Sequence, residues 1–275
     1  MKIMVMTDLE GVAGVKNFED WCEPPSRFYG TACRLLTAEV NAAVEGFFAG
    51  GAEYVQVADG HGHGAIDIEL LDSRVEYARG WPGIAWPFGL DESYDGIAWV
   101  GQHAKASSEY AHLCHTQSFS YLDLSVNGVS IGEFGQLAMC AAQLGVPAFF
   151  ASGDLAFTQE AEALVPGIVT CAVKRGVTPG TGEECTVEEY SRRNAGAVHV
   201  LPGRACLLIR EAAERAMEAL KANRCQRISL EPPFERVAMF RPDQKGQPKT
   251  LSRESHPDCV IALMGMAFNP KPIPE

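Results

Sequence analysis

The sequence lacks the long apolar segments that membrane insertion requires. No run of about 18 consecutive apolar residues occurs, so we expect no membrane-spanning helix. The N-terminal stretch MKIMVMTDLEG has one lysine and a short apolar run that ends at Asp8, and it does not predict a signal peptide. The nine cysteines include no Cys-x-x-Cys pair. We therefore expect reduced thiols and a cytoplasmic location.

Basic residues are also scarce. The chain has 23 Lys and Arg residues and 35 Asp and Glu residues, which gives a net charge of −12. A surface of this sign repels nucleic-acid backbones and anionic lipids, so we expect neither a nucleic-acid partner nor a membrane partner. Hydrophobic residues make up 47% of the 275 residues. That is enough for a sizeable core in one large domain or two smaller ones.

Strand-like and helix-like segments alternate along most of the chain. Residues 2–7 and 53–58 predict strands, and residues 31–49 between them have apolar side chains at helical spacing. A strand, a helix and a second strand in this order predict a right-handed βαβ unit. The other predicted segments are strands at 96–100, 119–126, 146–151, 167–173 and 227–240, the last broken by Pro232-Pro233. Helices are predicted at 134–144, 156–164, 186–198 and 203–222. We predict an α/β fold with three α/β/α layers and a mostly parallel sheet, plus a smaller C-terminal α+β region.

The pattern changes near residues 175–185, where a loop rich in glycine and acidic residues begins. We place a metal-binding α/β catalytic region at residues 1–180. Residues 181–275 are predicted to form a C-terminal region of helices and strands. That region is either a separate unit or part of the same domain.

Acidic and imidazole side chains follow the predicted strands of the first half. Asp8 and Glu10 follow the first strand, His61 and His63 follow the second, and His103 follows the third. The carboxyl ends of parallel strands meet at one edge of a sheet, so these side chains are expected to lie together. Carboxylates and imidazoles without thiolates suit Zn²⁺, Mn²⁺ or Co²⁺ in a catalytic site.

Each of these residues also has an ordinary explanation on its own. Asp8 could cap a helix, Glu10 could be solvated, and Glu133 could only complement a helix dipole. The pattern favours a metal site, but it does not choose between His61 and His63. Three further residues are secondary candidates: Asp59 as a partner of a ligand histidine, Lys105 as a substrate contact and Asp154 as another group at the same edge.

Several short motifs together resemble a known family. They are Asp8-Leu9-Glu10-Gly11, Asp59-Gly60-His61, Gly101-Gln102-His103-Ala104-Lys105-Ala106, His115 and Gly132-Glu133-Phe134-Gly135. In this order and approximate spacing they resemble the M55 peptidases, the D-aminopeptidase family that is also called the dipeptide transport protein DppA family. The resemblance covers roughly residues 1–210 and fades towards the C-terminus.

The resemblance implies a binuclear zinc aminopeptidase that acts on short peptides with N-terminal D-amino acids. It implies metal ligands at Asp8, Glu10, His61, His103 and Glu133, with Asp8 as the bridge, and it implies a catalytic role for His115. It also implies a homo-oligomer, in the form of a decameric ring.

This ligand set predicts a mechanism. Five ligands are too many for one tetrahedral zinc ion with an open position, so they indicate two ions. Three carboxylates combined with two divalent cations leave a net charge of about +1. That charge would lower the pKa of a bridging water and produce a hydroxide that attacks the amide. Two alternatives stay open: a two-metal hydrolase of non-peptide amides or phosphate esters, and a peptide-binding protein without turnover.

Overall fold

A computed structural model of the chain describes residues 1–80 and 86–273. The strands of this part are β1 (Lys2–Thr7), β2 (Tyr54–Asp59), β3 (Glu76–Ala78), β4 (Gly96–Gln102), β5 (Tyr121–Val126), β6 (Val129–Ser130), β7 (Ala148–Asp154), β8 (Val169–Gly176), β9 (Ala197–His199), β10 (Phe234–Phe240), β11 (Thr250–His256) and β12 (Lys271–Pro272). The helices are α1 (Phe18–Trp21), α2 (Tyr29–Ala49), α3 (Glu133–Gln143), α4 (Leu155–Leu164), α5 (Val187–Arg193), α6 (Pro202–Lys221) and α7 (Val260–Met264).

A seven-stranded sheet forms the centre, in the order β3-β2-β1-β4-β7-β8-β9. Its neighbouring strands pair in parallel, except that β9 runs antiparallel to β8. From β1 the chain first builds the sheet towards β3 and then continues on the other side of β1 with β4. The carboxyl ends of β1 and β4 therefore flank a topological switch point, where open α/β sheets place their ligand sites.

Both faces of this sheet are covered by helices. Ile3 and Val5 of β1 lie in the core beneath α2 and α6, whereas Met4 and Met6 belong to a second core with residues of α3 and α4. Successive strand residues point to opposite faces, so one strand contributes to both cores. The three-layer α/β/α architecture predicted from the sequence is confirmed.

A second, five-stranded sheet has the order β12-β11-β10-β5-β6, and its strands pair antiparallel. Its β5–β6 hairpin turns at Asn127 and Gly128, which both have positive φ, as the Asn-Gly pair predicts. This sheet thus takes strands from before residue 180, and the main sheet takes β9 from after it. The division of the chain at residue 180 stays a prediction.

The sequence was least informative near the C-terminus. Residues 227–240 were predicted to form strands, but only Phe234–Phe240 does so, because Pro232 and Pro233 come directly before it. Strand β11 and helix α7 were not predicted. Within the described ranges, none of the helices combines the length and apolar character needed to cross a membrane.

Candidate metal centre

The strand ends bring the predicted ligands together at the switch point. Asp8 and Glu10 follow β1, His61 follows β2, and His103 follows β4. Glycines allow the strand ends to approach: a Cβ at Gly11 would lie 2.0 Å from the carbonyl oxygen of Gln102, and Gly101 has a φ of +77°. These four side chains are buried. The expected convergence at one edge of the sheet is therefore present.

Asp8 lies between two imidazoles. Its Oδ1 is 3.3 Å from Nδ1 of His61, and its Oδ2 is 3.2 Å from Nε2 of His103. Glu10 Oε2 is also 3.3 Å from Nδ1 of His61. The two carboxylate oxygens of Asp8 thus face two different parts of the cluster.

Glu133 and His115 complete the side of the cluster that contains His103. Glu133 is the first residue of α3, and its Oε1 lies 3.6 Å from Nε2 of His103 and 3.8 Å from Nε2 of His115. The rings of His103 and His115 are stacked, with their centroids 3.9 Å apart. His115 therefore lies among the predicted ligands and not merely near them.

Backbone carbonyls fix the orientation of the three imidazoles. Nε2 of His61 lies 2.7 Å from the carbonyl of Cys22, Nδ1 of His103 2.9 Å from that of Ala104, and Nδ1 of His115 2.9 Å from that of Leu113. A carbonyl only accepts hydrogen bonds, so each of these nitrogens carries the proton. The other nitrogen of each ring faces the carboxylates, where it would either carry a second proton or, once deprotonated, bind a metal, as in histidines whose second nitrogen is held by a carbonyl.

The charges within the cluster shift its pKa values. Burial opposes ionisation of Asp8, but the adjacent imidazoles of His103 and His61 hold its pKa well below the usual range. Burial likewise opposes the charged form of His61, but Glu10 and Asp8 raise the pKa of His61 to about 12. The pKa of His103 is also raised well above normal, because Glu133 and Asp8 outweigh its burial. The carboxylates thus strongly favour a positive charge within the cluster.

His115 behaves differently from the other two imidazoles. Burial, and then repulsion from His103, lower the pKa of His115. Glu133 has a lowered pKa, because the charge of His103 outweighs the effect of burial. We therefore expect a neutral His115 beside an ionised carboxylate near neutral pH.

A divalent cation fits this donor set. Among the described residues, Glu10 Oε2 and His103 Nε2 are buried polar atoms without a hydrogen-bond partner. Ligand atoms of Asp8, Glu10 and His103 lie within 4.8 Å of one another, and so do those of His103, His115 and Glu133. Burying such groups is costly unless a cation or proton lies between them. Their orphaned atoms and their chemistry suit a metal centre.

Residues outside the predicted set support the cluster. Gln102 donates from Nε2 to Asp8 Oδ2 at 2.8 Å, and the buried Lys174 ammonium donates to the carbonyl oxygen of Glu10. The backbone N–H of Gln117 donates to Glu133 Oε1 at 2.7 Å. Gln102 stands between two motif residues, so its position could have suggested a role. Gln117 gave no such signal, whereas Lys174 ends the Ala172-Val173-Lys174 segment, to which the family resemblance extends.

The secondary candidates contact other residues of the chain. The Asp59 carboxylate accepts hydrogen bonds from the N–H of Ala65 and the hydroxyl of Tyr77, so it orders the loop after His61 instead of contacting the His61 ring. Lys105 donates from Nζ to Ser130, and Asp154 caps α4. The imidazole of His63 is exposed. The structure therefore brings His61 into the cluster and leaves His63 outside it.

Glu160 links the two segments that carry His103 and Glu133. Its Oε2 accepts the N–H of Lys105 at 2.9 Å, and its Oε1 accepts the N–H of Gly132 at 3.0 Å. Both carboxylate oxygens are needed to link the two segments, because Lys105 lies in the loop after His103 and Gly132 directly precedes Glu133. Burial raises the pKa of this carboxyl group. Glu160 is thus a positioning residue for two candidate ligands.

Replacing Glu160 with Gln should weaken metal binding. The amide has one acceptor, so one N–H would lose its partner, which costs about 1–3 kcal/mol. We expect the zinc Kd to rise about 10- to 100-fold, as for other residues that hold ligands in place. Competition with a chromophoric chelator measures the Kd. Glu162→Gln, at an exposed position of the same helix, is the control, and equal zinc affinity of both variants would contradict the role of Glu160.

The cluster borders a cavity of about 190 Å³. Phe18, Cys22, Glu23 and Gln117 contribute to its walls, together with the carboxylates and His115. A space of this size beside the cluster admits a small organic ligand. The candidate metal centre therefore borders a cavity that can admit a small molecule.

Comparison with known proteins assigns the chain to a family. The sequence pattern of the M55 peptidases, described as D-aminopeptidase, matches residues 1–248. The chain belongs to the D-aminopeptidase family. The prediction of M55 membership is therefore confirmed.

Two relatives from Bacillus subtilis are similar to this chain. A D-aminopeptidase of strain 168 is 28% identical over 183 residues, and this match covers 65% of each protein. It thus spans slightly less than two thirds of that relative. A solved structure described as Zn-dependent D-aminopeptidase DppA, a self-compartmentalizing protease, superimposes with a TM-score of 0.81 at 22% identity. It covers 96% of this chain and 94% of the other, and it confirms the fold.

Proposed function

We propose that the chain is a binuclear metal-dependent aminopeptidase that hydrolyses the first amide bond of short peptides, with a preference for N-terminal D-amino acids. The observation that carries the proposal is the buried cluster in which Glu10 Oε2 and His103 Nε2 have no hydrogen-bond partner within the described residues. Membership of the D-aminopeptidase family supports the reaction class. The solved relative is described as zinc-dependent, which supports zinc as the metal.

Two ions would be held by residues on the two sides of Asp8. Glu10 and His61 lie near its Oδ1, and His103 lies near its Oδ2 with Glu133 beyond it. This arrangement supports Asp8 as the shared ligand. His115 also has a ligand atom close to His103 and Glu133, but we assign it to proton transfer because the family resemblance implies a catalytic role for it.

We assign the following roles in the reaction to the residues of the chain. When bound, the divalent ions supply Lewis acidity, which polarises a carbonyl and lowers the pKa of water. His115 holds a proton on Nδ1 through the carbonyl of Leu113, which leaves Nε2 free to accept a proton and later deliver it to the leaving amine. Gln102 holds Asp8 in place. The cavity beside His115 has room for the peptide.

The test is a comparison of substrates with zinc-loaded protein. We expect hydrolysis of D-Ala p-nitroanilide and D-Ala-D-Ala, slower hydrolysis of L-Ala p-nitroanilide, and no hydrolysis of p-nitrophenyl phosphate. Protein stripped with a chelator is the control, and zinc should restore its activity. Phosphatase activity without amidase activity would overturn the proposal, and peptide binding without hydrolysis would favour a binding protein.

We also propose that the chain forms a homo-oligomer, with a decameric ring as the form implied by the family resemblance. The solved relative is described as self-compartmentalizing. Large apolar side chains are exposed near β9 and the start of α6: Val177, Val198, Leu201 and Leu207, of which Leu201 is 77% exposed. Exposed apolar groups of this kind are typical of subunit interfaces.

Light scattering after size-exclusion chromatography tests the assembly. We expect a mass several times the 29.7 kDa of one chain. Leu201→Glu should reduce that mass, because a charge would be buried at the interface. Leu70→Glu, at another exposed leucine, is the matched control. A monomeric wild-type protein would contradict the proposal.

A further inference from the structure

A second, smaller cavity adjoins the carboxylates on the side of the sheet that carries α3. Its volume is about 70 Å³. Its apolar walls are Met6, Trp86, Phe88, Trp99 and Leu137. Asp8, Gln102 and Glu133 lie at its polar end. We call this cavity the aromatic pocket.

The walls of the aromatic pocket are held in place by neighbouring groups. Trp99 is buried and packs edge-on against Phe134, with a centroid distance of 4.6 Å. Trp86 packs edge-on against Phe88 at 4.5 Å, and its Nε1–H donates to Cys140 Sγ at 3.2 Å. Side chains fixed in this way cannot easily move apart. The pocket therefore has a defined size.

The backbone at Phe88 also points to a functional constraint. Its φ is +59°, in the left-handed region that a bulky side chain rarely adopts. Such conformations cluster at ligand sites, where they place a side chain that the site requires. Here the conformation places a partly exposed aromatic ring in the wall of a cavity that adjoins the metal cluster.

We infer that the aromatic pocket receives the side chain of the first substrate residue and restricts it to small apolar groups. This inference rests on the proposed aminopeptidase function. The α-carbon of that residue carries the free amine, the side chain and the carbonyl of the bond to be cut. A substrate held by amine and carbonyl at the carboxylate cluster therefore has its side chain within a few ångströms of the pocket.

Size distinguishes the two cavities. The aromatic pocket, at about 70 Å³, is less than half as large as the cavity beside His115 and accommodates a smaller group. The cavity beside His115 is larger, at about 190 Å³, and has polar walls that include Glu23. The leaving portion of the peptide is longer and polar, so it fits the larger cavity.

Asp8, Gly60, Gln117 and Glu133 contribute to the lining of both cavities. A Cβ at position 60 would lie 2.6 Å from the Thr7 carbonyl oxygen and 2.6 Å from Met6 Sδ. A larger residue than glycine would therefore clash with the end of β1 at the border of the two cavities. The shared lining is consistent with one substrate that occupies both cavities.

The kinetic test varies the first residue. Wild-type protein with zinc should cleave alanine p-nitroanilide better than the leucine and phenylalanine compounds, by about tenfold or more in kcat/KM for the preferred enantiomer. Trp86→Ala should raise the phenylalanine-to-alanine ratio of kcat/KM at least about tenfold. Phe88→Ala is a second variant in case the first does not fold. Tyr110→Ala, at an exposed aromatic side chain outside both cavities, should leave the ratio unchanged.

A binding measurement tests the selectivity of the aromatic pocket independently of hydrolysis. Alanine hydroxamate and phenylalanine hydroxamate share one metal-binding group and differ only in the side chain. Titration calorimetry on zinc-loaded protein should show tighter binding of the alanine compound, and Trp86→Ala should reduce or reverse the difference. Size-dependent binding without amide hydrolysis would support the pocket and overturn the proposed function.

The opposite outcomes are equally informative. Hydrolysis with no preference for small first residues, or with a preference that both Trp86→Ala and Phe88→Ala leave unchanged, would overturn the pocket and retain the aminopeptidase. Equal affinity for both hydroxamates without any hydrolysis would overturn both.

Discussion

Replacing Asp8 with Asn should remove most of the bound zinc and nearly all peptidase activity. Asp8 faces His61 with one oxygen and His103 with the other, so its loss affects both proposed ions. A bound metal contributes several kcal/mol to transition-state stabilisation, which corresponds to a loss of about 10³-fold or more in kcat/KM. Elemental analysis after dialysis measures the zinc per chain, and the p-nitroanilide assay measures the activity.

The two histidines of the His61-Gly62-His63 segment provide a matched comparison. His61→Ala should lower the zinc content, because His61 Nδ1 contacts Asp8 and Glu10. His63→Ala should retain two zinc ions, because its side chain is exposed. Full zinc content in Asp8→Asn would disprove its bridging role, and equal loss in both histidine variants would contradict the assignment of His61.

The fold could be predicted from the sequence because its signals are local. The apolar stripe of α2 and the buried run of β7 each follow from the periodicity of a short segment. The second sheet was not predicted, because β5 and β10 pair across more than a hundred residues. Strand pairing at that distance depends on tertiary packing, and no short window of sequence records it.

The candidate site was predictable at its strand ends and less so elsewhere. Asp8 and Glu10 follow one apolar run and His103 follows another, so the topology of a parallel sheet brings them together. The pattern does not choose between His61 and His63, because both residues follow a glycine in the turn after β2. The family resemblance implied His61, and the structure shows that His61 turns inward and that its Nε2 lies beside the carbonyl of Cys22. The family resemblance, not the pattern, brought in Glu133.

The supporting residues were beyond the reach of sequence reasoning. Glu160 lies on an ordinary amphipathic helix, and its two acceptors are significant only because Lys105 and Gly132 come close to it. Lys174 lies in β8, and its ammonium contacts Glu10, which is more than 160 residues away in the sequence. Such contacts depend on how the layers pack against each other, and they do not produce a periodic pattern in the sequence.

Replacing His115 with Ala should lower kcat by about 10² to 10⁴-fold, the usual contribution of a positioned acid or base. The KM should change little, because His115 is assigned to proton transfer and not to substrate affinity. Its Nδ1–H donates to the carbonyl of Leu113, so its Nε2 is directed towards Glu133 and the cavity. Initial-rate kinetics with D-Ala p-nitroanilide measure both constants.

The zinc content decides between the two roles open to His115. Its Nε2 is close enough to His103 and Glu133 to serve as a ligand, and a ligand variant would lose metal along with activity. A proton-transfer residue would leave two zinc ions per chain, because Asp8, Glu10, His61, His103 and Glu133 would still hold them. A zinc content near one in His115→Ala would therefore disprove proton transfer as its main role. His256→Ala, in the second sheet, should alter neither zinc content nor kcat, since its imidazole lies outside the cluster.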